Sequence, residues 1–108
     1  MLMSQAERFI AGKIKQDDHV IYAAQVYFAV KNTAAKAYYY NWYPAIMSGH
    51  EAASVTAMVI EPRTFGEMKA KLGGEWREIG KRFSYPVRRF PNRDLRMELA
   101  IYRRVPTS

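Results

Sequence analysis

The chain has 108 residues, 49% hydrophobic and 25% charged, with 17 Lys and Arg against 10 Asp and Glu, a formal net charge of +7. That balance supports one folded domain with a modest core and excludes wholesale disorder. The absence of cysteine excludes disulfides, thiolate metal sites and cysteine nucleophiles, while the basic excess favours an anionic partner, nucleic acid first and an acidic protein surface second.

The opening residues MLMSQAERF place no basic stretch before an apolar one, so they do not read as a secretory signal. Ser4-Gln5-Ala6-Glu7 has the form of a capping box, in which a hydroxyl and a carboxylate each satisfy a helix-end N–H. It predicts a helix to about Lys15 that contributes Phe9 and Ile10 to the core, with Gly12 weakening it by about 1 kcal/mol. Asp17 and Asp18 then read as N-cap residues. Val20, Ala23, Ala24, Tyr27 and Val30 follow at helical spacing, although Val20, Tyr22, Ala24, Val26, Phe28 and Val30 also alternate as a strand would. Three alanines favour the helix. This run from Val20 to Val30 is the most apolar one, yet its 11 residues fall short of the about 20 that a membrane span needs.

Beyond Asn32-Thr33 the composition turns aromatic, in Tyr38-Tyr39-Tyr40-Asn41-Trp42-Tyr43, and Pro44 closes the segment. Six successive positions cannot all face one core, so Tyr38, Tyr40, Trp42 and Tyr43 are candidates for a partner interface, either a two-fold homodimer or a foreign protein. Ser48-Gly49-His50-Glu51 is a second capping-box pattern, with Ala52, Val55 and Val59 on one helical face and β-branched residues arguing for a strand instead. Pro62 ends that segment. Thr64-Phe65-Gly66-Glu67 opens a third box, Phe65, Met68 and Leu72 form an apolar stripe, and Gly73-Gly74 supplies a stop. Trp76, Ile79 and Phe83 repeat the same spacing, which predicts a second helix. From Leu95 to Tyr102 the period changes to two, the mark of a strand, with Tyr85–Phe90 as its partner and Pro91-Asn92-Arg93-Asp94 as the turn.

The expected fold is α+β in a single domain, 1–108: a mostly helical scaffold over 4–62, then a helix pair and basic hairpin over 63–105. In element order alone, helix, turn, helix, strand, turn, strand is winged-helix-like. The competing arrangement makes 19–31, 36–46 and 53–60 strands of an antiparallel β-meander that joins the hairpin in one sheet with two helices.

Charge concentrates at the end of the chain. From Lys81 to Arg104 eight basic residues face only Asp94 and Glu98, a net +6. In a winged helix, Arg77, Lys81 and Arg82 would lie near the bases of duplex DNA, and Arg88, Arg89, Arg93 and Arg96 would hold phosphates. Glu75 and Glu78 count against a close fit to the groove. The two histidines, His19 and His50, have no metal-ligand spacing, no glycine pattern cradles a phosphate, and no nucleophile or acid–base motif is present. The sequence therefore predicts a cytoplasmic, cofactor-free, metal-free nucleic-acid-binding protein rather than an enzyme. The alternative is a small adaptor or inhibitor that docks on a larger protein through its aromatic run and basic hairpin.

Overall fold

The computed structural model describes residues 5–23, 26–34, 36–39, 49–86 and 96–106. Three short strands, β1 (His19–Tyr22), β2 (Lys36–Tyr39) and β3 (Ala57–Ile60), and two long ones, β4 (Trp76–Pro86) and β5 (Arg96–Arg104), form one sheet in the order β2-β1-β3-β5-β4. β1 pairs in parallel with both β2 and β3, whereas β5 runs antiparallel between β3 and β4. The sheet is thus mixed: parallel at one side and an antiparallel ribbon at the other.

Among the described residues four helices accompany it: α1 (Gln5–Ile10), α2 (Tyr27–Lys31), α3 (Gly49–Ser54) and α4 (Pro62–Leu72). They divide between its two faces. Val20 and Tyr22 of β1, Ala57 and Val59 of β3, and Leu99 and Ile101 of β5 pack with Phe9, Ile10, Val26 and Val30 from the α1–α2 side. The alternate positions, Ile21, Met58, Ile60, Ala100 and Tyr102, pack with Ala52, Val55, Met68 and Leu72 from the α3–α4 side. All four residues of β3 are buried, as expected of a strand covered on both faces. Each fully buried Ile or Val contributes on the order of 1.5–3 kcal/mol.

This arrangement overturns the mostly helical, winged-helix-like expectation. The predicted helix over Val20–Val30 is strand β1 followed by the five-residue helix α2. Its alanines were outweighed by the Val20-Ile21-Tyr22 run, which suits a strand buried on both faces and carries no alternation to betray it. Strands do occur within all three spans of the competing meander, but β1, β2 and β3 pair in parallel, so that arrangement is corrected too. The helix expected after His50 ends at Ser54, and Val59 belongs to β3. α4 starts at Pro62 with Glu61 at its N-cap, not at the Thr64 box; the Thr64 hydroxyl instead donates to the Glu61 carbonyl.

The second helix of the expected pair does not exist: Trp76–Phe83 is the first part of β4. Its helix-like spacing has two separate origins. Ile79 and Phe83, four positions apart, share the α1–α2 side as alternate strand positions do, and Lys81 between them is exposed within the register shift at Gly80, whose φ is 69°. Trp76, an odd number of positions away, faces the α3–α4 side. The sheet therefore separates residues that share one helical spacing in the sequence: Ile79 and Phe83 lie with Leu99 and Ile101 on one side, and Trp76 lies with Phe65, Met68 and Leu72 on the other.

Candidate nucleic-acid interface

β4 is an edge strand, and α1 with the turn after it lies against its α1–α2 face. Between them runs an open trough of about 410 Å³, lined by Arg8, Lys13, Lys81, Arg82 and Ser84 around the rings of Phe9 and Phe83. The two rings stack with centroids 5.3 Å apart, which fixes α1 to the strand. On α1, Phe9 and Ile10 are buried, so the preceding Arg8 is left exposed at the trough wall. Lys13 reaches the same trough from the turn. Its ammonium donates to the Phe9 carbonyl at 3.0 Å and stands 5.6 Å from the Phe9 ring centroid.

Gly80 makes that approach feasible. A Cβ at this position would lie 2.5 Å from Lys13 Cε and 3.0 Å from Lys13 Nζ, so the lysine stem occupies the space a side chain would take. The positive φ adds a second reason for glycine. Lys81 follows within the irregular stretch and is exposed, with no ion pair among the described residues.

Carboxylates are placed elsewhere. Glu78 pairs across the ribbon with Tyr102, whose side chain belongs to the α3–α4 core, and Glu98 lies two residues from Ala100 on that same face. Both carboxylates hold Arg82: Glu78 accepts from its Nε and Nη2 at 3.0 Å, and Glu98 accepts from its Nη1 at 3.4 Å. The Arg82 hydrogen bond draws the Glu78 carboxyl below its ordinary range. Arg82 is accordingly neutralised at the trough's edge, while Arg8, Lys13 and Lys81 are not neutralised by any lining group.

A second charged cluster closes the opposite end of the sheet, where β1 and β3 begin and β5 ends. Asp18 is the one charged residue buried among the described residues, at 4% exposure. Its carboxylate accepts from the Lys15 backbone N–H at 2.6 Å, from the Thr56 hydroxyl at 2.8 Å, and from Arg103 Nη1 and Nη2 at 3.0 and 2.7 Å. Burial pushes the carboxyl up, but the Arg103, Lys15 and Thr56 hydrogen bonds together outweigh it and hold its pKa lowered to about 2. Arg104, alongside, donates to the carbonyls of Val55, Gly73 and Ala52 and lies 4.5 Å over the Trp76 ring. In open α/β sheets ligands bind at the carboxyl ends of parallel strands. This network sits at the amino ends, and its geometry is that of a brace.

The structure rearranges the residues singled out from sequence. Arg77, Lys81 and Arg82 lie on a strand and not on a recognition helix; Lys81 and Arg82 line the trough, and Arg77 lies beyond Gly80. Arg96 opens β5 opposite Pro86. Arg88, Arg89 and Arg93 lie outside the described residues, as do Tyr40, Trp42 and Tyr43. Tyr38 is half-buried on β2 against the α3–α4 core. Asp18, expected as a helix cap, is the buried partner of Arg103. His50 is exposed on α3, and His19 Nδ1 stands 3.4 Å from Ser54 Oγ, whose hydroxyl donates to the Glu51 carbonyl within its own helix. No group of three or more metal-ligating side chains occurs among the described residues, and no helix among them is long and apolar enough to cross a membrane. Arg8 and Lys13 were not legible as site residues, because no local signal says that α1 packs on β4. No protein-family model, curated protein or solved structure matches the chain.

Proposed function

We propose that the chain binds nucleic acid through its phosphates, with the trough between α1 and β4 as the grip. The observation that carries this reading is the convergence of Arg8, Lys13 and Lys81, from two separate elements, on one concave surface whose lining contains no carboxylate. Cations held close together without counter-charges repel one another, an arrangement that an anionic ligand relieves. The acidic residues of the same ribbon, Glu78 and Glu98, are spent on Arg82 at the other face of the sheet. Arg88, Arg89 and Arg93 follow Pro86 in the sequence. Contacts of this kind read the backbone, so binding tolerates sequence.

The test is a fluorescence-anisotropy titration of labelled DNA at 50 and 200 mM salt, with the wild type and an Arg8→Ala/Lys81→Ala variant. Both side chains are exposed, so the variant keeps the wild-type melting temperature. Its affinity falls, and its log–log salt slope shrinks by about 0.7–0.9 for each phosphate that is no longer neutralised. Absence of binding by the wild type to any nucleic acid at low salt would remove the proposal.

A further inference from the structure

Resting on the nucleic-acid reading, we infer that the ligand is a single strand laid lengthwise along β4 and that Arg77 is the far end of its track. A second basic depression lies on the same side of this strand as the trough. Of about 310 Å³, it is lined by Arg77, Ile79, Arg103, Arg104, Val105 and Pro106 and likewise contains no carboxylate. Arg77 pairs with Arg103 and Ile79 with Ile101 in the ribbon, and Ile79 packs on the same core cluster as Phe83, so both depressions open on the α1–α2 face.

Gly80 is the join between them. It lies between Ile79, in one lining, and Lys81, in the other, and the Lys13 stem crosses the backbone at this residue. Cations therefore follow one another along the edge: Arg77, then Lys13, then Lys81 with Arg8 facing it. Each depression is at the small end of the about 300–1,000 Å³ that pockets for small ligands enclose, the scale of a nucleotide and not of a duplex.

Duplex DNA makes a different demand. Its major groove is about 12 Å wide and is read by an element that projects into it, whereas the two depressions lie along the side of β4. The helices on the trough side, α1 and α2, have only six and five residues and pack against the sheet. α4, with exposed Lys69 and Lys71, belongs to the opposite face, and Lys71 pairs with Glu67 at 2.9 Å. A track with cations in line, with no projecting helix among the described residues, suits a flexible strand, whose phosphates adjust to the cations.

The experiment compares a labelled dT₁₂ strand with the dA₁₂·dT₁₂ duplex at several salt concentrations, using wild type, Lys81→Ala and Arg77→Ala. Arg77 is exposed, and circular dichroism with thermal melting verifies that its variant folds. The inference requires that the wild type bind the strand at least tenfold more tightly than the duplex. It also requires that each variant weaken strand binding and reduce the salt slope by about 0.7, the value for one single-strand phosphate. Equal or tighter duplex binding overturns it. So does an Arg77→Ala variant of wild-type affinity and slope beside a weakened Lys81→Ala, a result that leaves the trough reading standing and removes the track. Binding to neither DNA removes both.

Discussion

The Asp18 carboxylate and the Arg103 guanidinium meet across 85 positions of sequence, 2.7 Å apart. Arg103 also donates to the Lys13 carbonyl at 2.5 Å, so one side chain ties the turn after α1 to the end of β5. Because the folded pKa of Asp18 is about 2, below the ordinary 3.8, its ionised form stabilises the fold. That contribution is complete above the unfolded pKa and is lost as pH falls through 3.8 towards 2; at most it amounts to about 2 kcal/mol. Asp18→Ala leaves Arg103 without its buried counter-charge, and should cost about 3–5 kcal/mol at pH 7. Urea denaturation at pH 7 and pH 3 tests this: the deficit of the variant narrows in acid, and a deficit independent of pH contradicts the pairing. The sequence did not announce this brace. Asp17 and Asp18 look alike as helix caps, and only the sheet's register, set by residues far along the chain, brings one of them under Arg103.

At the scale of elements, β4 holds most of what the sequence hid. Its apolar residues stand at spacings of three and four, the signature of a helix, because Trp76 serves one face and Ile79 and Phe83 the other, while the irregularity at Gly80 leaves Lys81 between them exposed. The helix expected after Thr64 was legible from Phe65, Met68, Leu72 and Gly73 because no register shift interrupts a helix, though its start at Pro62 was not. The alternation of β5 was legible for the same reason, being regular from Met97 to Arg103. Gly80→Ala strains a left-handed backbone and collides with the Lys13 stem, so a loss of about 1–3 kcal/mol is expected. Thermal melting measures it. Trp76 is half-buried, its indole N–H donating to the Gly73 carbonyl at 3.0 Å and its face under Arg104. Trp76→Ala should therefore cost less than the about 3–5 kcal/mol of a fully buried aromatic. A full-sized loss in urea titration would show that the indole is more deeply engaged than this geometry allows.

Taken whole, the described residues form two small cores, one on each side of a shared sheet. Ile21 is completely buried on β1 in the centre of the α3–α4 core, whereas the trough belongs to the other core. Ile21→Ala should lower stability by about 2–5 kcal/mol. Calorimetry with millimolar pyrophosphate separates the two roles: a ligand held by the folded trough raises the melting temperature of wild type and Ile21→Ala alike. An Arg8→Ala/Lys81→Ala variant should gain much less. Equal gains in all three proteins would place the anion somewhere other than the trough.

β5 is the last strand in sequence, yet it lies between β3 and β4. During synthesis the ribosome releases β1, β2 and β3 first, and they can begin to associate while one side of β3 has no neighbour. That side belongs to the segment Ala57-Met58-Val59-Ile60, wholly buried in the finished protein. An unpaired apolar strand recruits other chains as readily as its own. The nascent protein is thus most vulnerable to aggregation in the interval before Arg96–Arg104 emerges, and a translational pause upstream of residue 96 should lower its soluble yield more than one after residue 104.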